Sequence, residues 1–435
     1  MAIHPLKEPA MLNEKDFNRH PCFNVQAKGR YGRVHLPVAP KCNIQCNYCN
    51  RKYDCVNESR PGVTSTLLSP DQALVYMGRV LEREPRISVA GIAGPGDPFA
   101  NPDETLETMR LIRRHYPDTI LCLSSNGLNV APHVPELAEI GVSHVTITVN
   151  AVDPAISQQI YAWVRDGKII YRGRQGAELL LARQLEAIRL LKEHGVTVKV
   201  NTIVIPGIND AHVPVLAATM KELGVDLLNC MAMFPNADTA FEHIPEPDRE
   251  MMERLRGEAE QYLPQMRHCT RCRADAVGLL DDDKTEAFRG CLSACAQLPK
   301  PEEPVRPYVA VATLEGVLVN QHLGEATRFH IWGEDGQGGY RFIEDRPAPP
   351  AGGGNQRWLA ISRILSDCRA ILVNDLGDGP SEMLGKRGLR PVVMAGFIER
   401  GLEAVYTGKD LIGLQGRQRK CSSKGACAGG GGGCG

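Results

Sequence analysis

Cys42, Cys46 and Cys49 lie in the run Cys42-Asn43-Ile44-Gln45-Cys46-Asn47-Tyr48-Cys49. Thiolates with three and then two residues between them can cap three corners of one cubane iron–sulfur cluster, leaving the fourth iron without a protein ligand. An iron with an open position can chelate the amino and carboxylate groups of S-adenosylmethionine (SAM) and pass one electron to its sulfonium. Zinc is the rival reading. It usually takes two separated Cys pairs or Cys with His, and no pair follows the triplet at zinc-ribbon spacing.

Six further residues of ligand type surround the triplet in sequence. His20 and Cys22 precede it, Cys55 follows closely, and Cys122, Cys269 and Cys272 come later. Taken alone, His20 reads as a surface or capping histidine and Cys122 as a small core residue. Cys269 and Cys272, with two residues between them, suit chelation of one metal centre. Cys230 sits in an apolar run and reads as core. Cys291 and Cys295 are spaced for one helix face and read as core or surface thiols, with a third accessory ligand pair as the alternative. Cys421, Cys427 and Cys434 punctuate a Gly-rich tail, read as disordered, that is flexible enough to hold an incoming or outgoing cluster.

Composition narrows the class. The chain has 435 residues, enough for two domains, and a formal net charge of -1. That balance makes no electrostatic case for nucleic acid or an acidic membrane surface. Met1 to Met11 holds no apolar signal core, and no run of ~18 apolar residues occurs, so neither export nor membrane insertion is expected. Fifteen Cys in such a chain argue for metal or redox use over a disulfide framework. The expectation is a cytoplasmic metalloprotein.

The elements that must position these groups alternate. Strands are expected at Val34–Pro40, Ile87–Ile92, Thr119–Leu123, His144–Val149, Val196–Ile205 and Asp226–Met233. Helices are expected at Pro70–Glu84, Pro102–His115, Ala177–His194 and His212–Leu223, with Gly195 and Gly224 as C-terminal caps. Six such units predict an α/β fold with a parallel sheet and right-handed crossovers. The count suits a partial (β/α)6 TIM-type barrel, although periodicity alone does not separate that from an open doubly wound sheet.

Polar and Gly-rich pieces follow the strands, where parallel α/β barrels carry their chemistry. Gly94, Gly96 and Asp97 follow the second strand. Ser124 and Asn126 follow the third, Asn150 ends the fourth, and Asn201 lies within the fifth. All seven are candidate cofactor-binding residues. Glu58 and Arg60, close to the triplet, are candidate catalytic residues that orient SAM or relay protons, with a solvated ion pair as the plain alternative.

The Pro-rich stretch 299–307 reads as a linker that ends a first domain, 1–298. Beyond it, Tyr308–Thr313 and Gly316–Asn320 look like a hairpin-like pair. His330–Trp332 and Gly339–Ile343 look like strands, followed by a helix at Arg357–Leu365, a strand at Ala370–Asn374 and a Gly-rich turn at Asp375–Pro380. A second α/β domain, 308–412, and a tail, 413–435, complete the chain.

The triplet, with an aromatic residue before its last Cys, resembles the signature of the radical SAM superfamily. Gly94-Pro95-Gly96-Asp97-Pro98 resembles the segment that such proteins place against the SAM amino group, where backbone approaches the ligand closely. Three runs closely resemble the NifB family: His20-Pro21-Cys22-Phe23-Asn24, Gly32 through Cys42, and Glu58-Ser59-Arg60-Pro61-Gly62-Val63-Thr64-Ser65. The second domain, with Val309-Ala310-Val311-Ala312-Thr313 and the Gly316/Gly324 spacing, resembles the NifX-type cluster-binding domain, which is similar to the ribonuclease H fold.

The resemblance implies a maturase of the nitrogenase iron–molybdenum cofactor that fuses two four-iron clusters into an eight-iron core around a carbide. SAM would serve as methyl donor and as radical source. The triplet would hold the SAM-binding [4Fe-4S] cluster. His20, Cys55 and Cys122 would hold one further [4Fe-4S] cluster, and Cys22, Cys269 and Cys272 the other. Three ligands per site suit clusters that must be rebuilt and released. Cluster-donor proteins, downstream cofactor carriers or scaffolds and an external electron donor are the implied partners. Two other readings stay open: another radical SAM enzyme with auxiliary clusters, and a non-catalytic cluster scaffold or carrier.

Overall fold

The computed structural model describes residues 14–299 and 305–409. Residues 300–304 of the linker and the tail, with Cys421, Cys427 and Cys434, lie outside them. The chain divides near residue 300 into two compact units.

The first unit contains strands β1 (Gly32–His35), β2 (Ile44–Cys46), β3 (Ile87–Ile92), β4 (Ile120–Ser125), β5 (Val142–Thr148), β6 (Tyr161–Asp166) and β7 (Ile169–Tyr171). Strands β8 (Thr197–Val204), β9 (Leu227–Ala232) and β10 (Val277–Gly278) complete it. Its helices are α1 (Glu14–Arg19), α2 (Pro70–Arg83), α3 (Pro102–His115), α4 (Val134–Ile140), α5 (Pro154–Ile160), α6 (Gly173–Glu193), α7 (Val213–Glu222), α8 (Arg249–Glu260) and α9 (Thr285–Ala296).

The main sheet runs β10-β1-β3-β4-β5-β8-β9. From β1 to β9 the neighbours are parallel and follow chain order. A doubly wound sheet reverses its strand order at a switch point; this one does not, so the arrangement is the half-barrel. The residues of β3 and β5 are buried throughout, as expected of strands covered on both faces. Helix α2 starts at a capping box: Ser69 Oγ accepts from the Gln72 N–H, and Gln72 Oε1 accepts from the Ser69 N–H. Its Ala73, Tyr76, Met77 and Val80 recur at helical spacing and pack into the core shared with the sheet. Beyond α6 and α7, the bonds Val196 N–H to Leu191 O and Val225 N–H to Met220 O close the helices around Gly195 and Gly224 as expected.

Two features depart from the sequence expectation. Strands β2, β6 and β7 form a separate antiparallel sheet, in which Cys46 stands opposite Tyr161. Strand β10 joins the edge of the main sheet antiparallel to β1, with Arg33 opposite Gly278. Both pairings join remote, short segments that carry no periodic signal of their own.

The second unit holds β11 (Tyr308–Val311), β12 (Leu318–Val319), β13 (Arg328–Glu334), β14 (Tyr340–Pro347), β15 (Cys368–Val373), β16 (Arg390–Val393) and β17 (Gly396–Phe397). Helices α10 (Asn355–Ile364), α11 (Asp378–Lys386) and α12 (Ile398–Thr407) accompany them. The sheet order is β14-β13-β11-β15-β16, with β11 antiparallel to β13 and parallel to β15. Alternation sorts its two faces: Ala310, Ala312, Ile371 and Val373 pack with α10 and α11 residues, whereas Val309, Val311, Ala370 and Leu372 pack with α12. The expected hairpin does not form. Strand β12 pairs with β17, because β11 spends both edges on β13 and β15. Within the expected turn Asp375–Pro380, helix α11 already begins at Asp378. Among the described residues, no helix is long and apolar enough to cross a membrane.

Candidate functional site

Cys42 precedes β2, Cys46 ends it and Cys49 follows it, and the segment is stapled from several sides. Gln45 Nε2 donates to the carbonyls of Cys46 (3.0 Å) and Cys49 (2.7 Å), and the Cys49 N–H donates to Cys46 O. Asn236 Nδ2 donates to Tyr48 O at 3.0 Å. The fully buried Tyr48 hydroxyl donates to Asn57 Oδ1 at 2.8 Å and accepts from Asn150 Nδ2 at 2.7 Å. Such a loop holds its thiols ready before any metal arrives.

Cys42, Cys46 and Cys49 face one chamber of about 390 Å³ together with Gly96, Asp97 and Asn126. Asn126 Nδ2 lies 3.8 Å from Cys42 Sγ and donates to Asn43 Oδ1 at 2.7 Å. Buried Asp97 accepts from the N–H groups of Phe99 (2.9 Å) and Asn126 (2.6 Å) and from Ser125 Oγ. Its carboxylate therefore fixes the Ser125-Asn126 turn against the triplet. Gly96 is required by its own chain: a Cβ there would overlap the Lys41 carbonyl, beside Cys42.

A second cavity of about 640 Å³ is lined by His20, Cys22, Cys122, Cys269 and Cys272. It shares Asn57, Glu58 and Ser124 with the triplet chamber. Glu58 Oε1 accepts from Asn201 Nδ2 at 2.7 Å, and burial raises its carboxyl above the ordinary range. Cys22 and His20 arrive on the segment after α1, Cys122 on β4, and Cys269 and Cys272 on the segment before β10. Cys22 N–H donates to His20 Nδ1 at 3.2 Å, and His20 Nε2 is buried with no hydrogen-bond partner.

The remaining expected site residues fall elsewhere. Cys55 lines the triplet chamber and is absent from the walls around His20 and Cys122. Arg60 lines neither cavity; it pairs with Asp283 at 3.0 Å and donates to Arg271 O, the ion-pair alternative. Asn150 and Gly94 also line neither. Asn150 is spent on Tyr48, Tyr161 and the Ile203 N–H. Cys230 and Cys295 are core, and Cys291 packs against the core edge.

Three cavity residues went unread in the sequence. Arg33, fully buried, donates from Nε and Nη2 to Cys272 Sγ (3.3 and 3.1 Å) and from Nη1 to the carbonyls of Gly278 and Leu279. His35 lies two residues along the same strand face. Lys199 is buried in β8; the sequence signal was a lysine between Val198 and Val200. Burial pulls its ammonium down, but Cys22, Glu58, Cys269 and Cys122 outweigh it, and the net shift is upward. Burial pushes the thiols up, Cys42 to about 11 and Cys22 and Cys122 to about 12. Iron would therefore displace protons as it binds. Two buried cations then compensate the negative charge that thiolates and sulfides bring.

This donor set fits iron–sulfur clusters. Among the described residues, no three His, Cys, Asp or Glu side chains converge to hold a single metal ion. A cubane presents its irons at separate corners, so its ligands need not converge on one point.

Residues 36–229 match the family model of the Radical SAM superfamily, and residues 305–408 that of "Dinitrogenase iron-molybdenum cofactor". The FeMo cofactor biosynthesis protein NifB of Chlorobaculum tepidum is 52% identical over 96% of this chain and 99% of its own length. That of Klebsiella pneumoniae is 40% identical over 86% of each chain, and that of Azotobacter vinelandii 38% identical over 89% of this chain and 87% of its own. With likeness extending across both units, the chain is a radical SAM enzyme and belongs to the NifB family of FeMo cofactor biosynthesis proteins.

Proposed function

We propose that the chain fuses two [4Fe-4S] clusters into a carbide-containing eight-iron cofactor precursor, with SAM as methyl donor and radical source. The observation that carries this reading is the pairing of cavities. Five ligand-type residues line one cavity whose wall residues Asn57, Glu58 and Ser124 also line the triplet chamber.

The chemistry supplied at the triplet, once loaded with its cluster and SAM, is one-electron cleavage of the sulfonium to a 5′-deoxyadenosyl radical. Cys42, Cys46 and Cys49 hold that cluster. Gly96, Asp97, Ser124 and Asn126 shape the SAM side of the chamber, with Asp97 acting through the turn it fixes. Gly94 and Asn150 support the walls from behind. Cys22, Cys122, Cys269 and Cys272, with His20, hold the two substrate clusters. Cys55 serves from the triplet side of the partition. Glu58, held by Asn201 between the chambers, holds or passes a proton there, and Arg60 braces the loop that carries it. The second unit binds clusters in transit. Partners are proteins that donate four-iron clusters, carriers or scaffolds that receive the product, and an external electron donor, all in the cytoplasm.

The test is anaerobic reconstitution followed by SAM and dithionite. Three four-iron clusters per chain are expected, with release of both 5′-deoxyadenosine and S-adenosylhomocysteine. Removing Cys42, Cys46 and Cys49 together should leave two clusters. A single cluster in the intact protein would overturn the fusion reading in favour of a simpler radical SAM enzyme.

A further inference from the structure

Strand β2, which carries Cys46, belongs to the small antiparallel sheet β2-β6-β7. Ile44 and Val164 stand opposite each other and are buried in the core beside the triplet. Alternation turns Trp163 and Arg165 to the other face, with Gln45 opposite Trp163 and Ile170 opposite Arg165. Gln45 is the residue that holds the Cys46 and Cys49 carbonyls. The Arg165 N–H donates to Asn43 O, beside Cys42, at 2.8 Å. Adjacent strands lie about 5 Å apart, so this face stands one to two strand spacings from the triplet.

The face is basic and partly apolar. Residues 161–174 hold four basic residues and one acidic, and residues 41–53 hold three basic and none acidic, in a chain whose net charge is -1. The ion pairs of the hairpin join Arg174 to Glu178 and Asp166 to Arg183. Arg165 instead lies over the Trp163 ring, 5.7 Å from its centroid, and stays exposed, as does Arg172. Between them in the chain, Ile169 and Ile170 are 57% and 44% exposed. Both lie on β7, whose outer edge pairs with no other strand among the described residues. An edge strand with exposed apolar side chains is a liability unless a partner covers it.

Cys46 and Cys49 are 5% and 8% exposed, so a protein that delivers electrons to the triplet docks on the residues that cover it. We propose that the outer face of β6 and β7, centred on Trp163, Arg165 and Ile170, is the docking surface for an acidic, low-potential one-electron carrier protein. The inference deepens the external electron donor of the proposed function and rests on that reading. Carboxylates around the carrier's redox centre face Arg165 and Arg172, and an apolar contact covers Ile170. Complementary charge of this kind mainly speeds encounter, and salt weakens it. In each encounter the carrier is oxidised by one electron and the triplet cluster is reduced by one, with no bond made or broken.

The test follows 5′-deoxyadenosine formation by reconstituted full-length protein with SAM in excess. It is driven either by an acidic [4Fe-4S] ferredoxin reduced beforehand or by reduced methyl viologen, a small cation that needs no docking surface. The double variant Arg165→Glu/Arg172→Glu should lose ten-fold or more of its ferredoxin-driven rate at low ionic strength and keep at least its viologen-driven rate. The fall of the wild-type ferredoxin-driven rate with added salt should disappear in this variant. Ile170→Asp, at an exposed position, should lose ferredoxin-driven rate in the same selective way. Unchanged ferredoxin-driven rates, or an equal loss in the control Arg249→Glu on α8, would overturn the assignment. Equal losses with both reductants would make these residues supports of the triplet and overturn it as well. A wild-type protein that viologen drives and ferredoxin does not would instead overturn the protein-donor reading itself.

Discussion

Arg33 Nη2 lies 3.1 Å from Cys272 Sγ, although 239 positions separate the two residues. The contact exists because β10 closes onto β1 with Arg33 opposite Gly278. It couples the edge of the half-barrel to the cavity: the guanidinium that satisfies the Gly278 and Leu279 carbonyls also donates to the thiol.

Arg33→Met should therefore have two effects. It leaves two buried carbonyls and a thiol without their charged donor, a loss of about 1.5–3 kcal/mol in unfolding free energy. It should also lower iron content by about one four-iron cluster while the triplet still loads. Denaturant titration and iron analysis check both, and wild-type iron retention would separate Arg33 from the site.

Gly96→Ala forces a methyl group into the Lys41 carbonyl, which also accepts from the Asp97 N–H at 2.7 Å. Overpacking against backbone costs about 1–3 kcal/mol, and the displaced segment leads directly into Cys42. Expected are a lowered Tm and SAM cleavage reduced by an order of magnitude or more. Normal 5′-deoxyadenosine yield would show that the turn tolerates the shift.

Cys272→Ala separates methyl transfer from radical formation. The triplet is untouched, so slow uncoupled release of 5′-deoxyadenosine should persist, with little S-adenosylhomocysteine and no precursor. Cys230→Ala, in the apolar core, should give near wild-type yields if it folds. Product chromatography on both variants decides, and normal yields from Cys272→Ala would remove that thiol from the site.

Glu84 carries a pH dependence remote from the metal sites. Hydrogen bonds from Arg86, against opposing burial, and from Lys284 hold its carboxyl down at about 2. A depressed folded value means that its stabilisation is fully present above the unfolded value of ~4.3 and is lost as pH falls towards 2. Glu84→Gln should lower the Tm of the cluster-free protein at pH 7 and flatten its decline between about pH 4.5 and 2. Parallel curves for the two proteins would show that Glu84 contributes no such linkage.

Much of this molecule was legible locally. Ligand spacing singled out Cys42, Cys46 and Cys49, which the fold gathers around one chamber. Apolar runs and capping residues placed the six parallel strands and α2, α3, α6 and α7 within a few positions, because burial face and helix ends are written over short spans. What stayed hidden depends on which distant edges meet. The pairing of β2 with β6 steadies the triplet, and β10 on β1 brings Cys272 to Arg33 and Arg273 to His35. The same closure brings Asp283 to Arg60, while the bond from the Cys55 N–H to Pro95 O holds Cys55 on the triplet side. Local periodicity states which face of a strand is apolar and says nothing of its partner; only the folded chain, by satisfying every buried donor and acceptor at once, decides that.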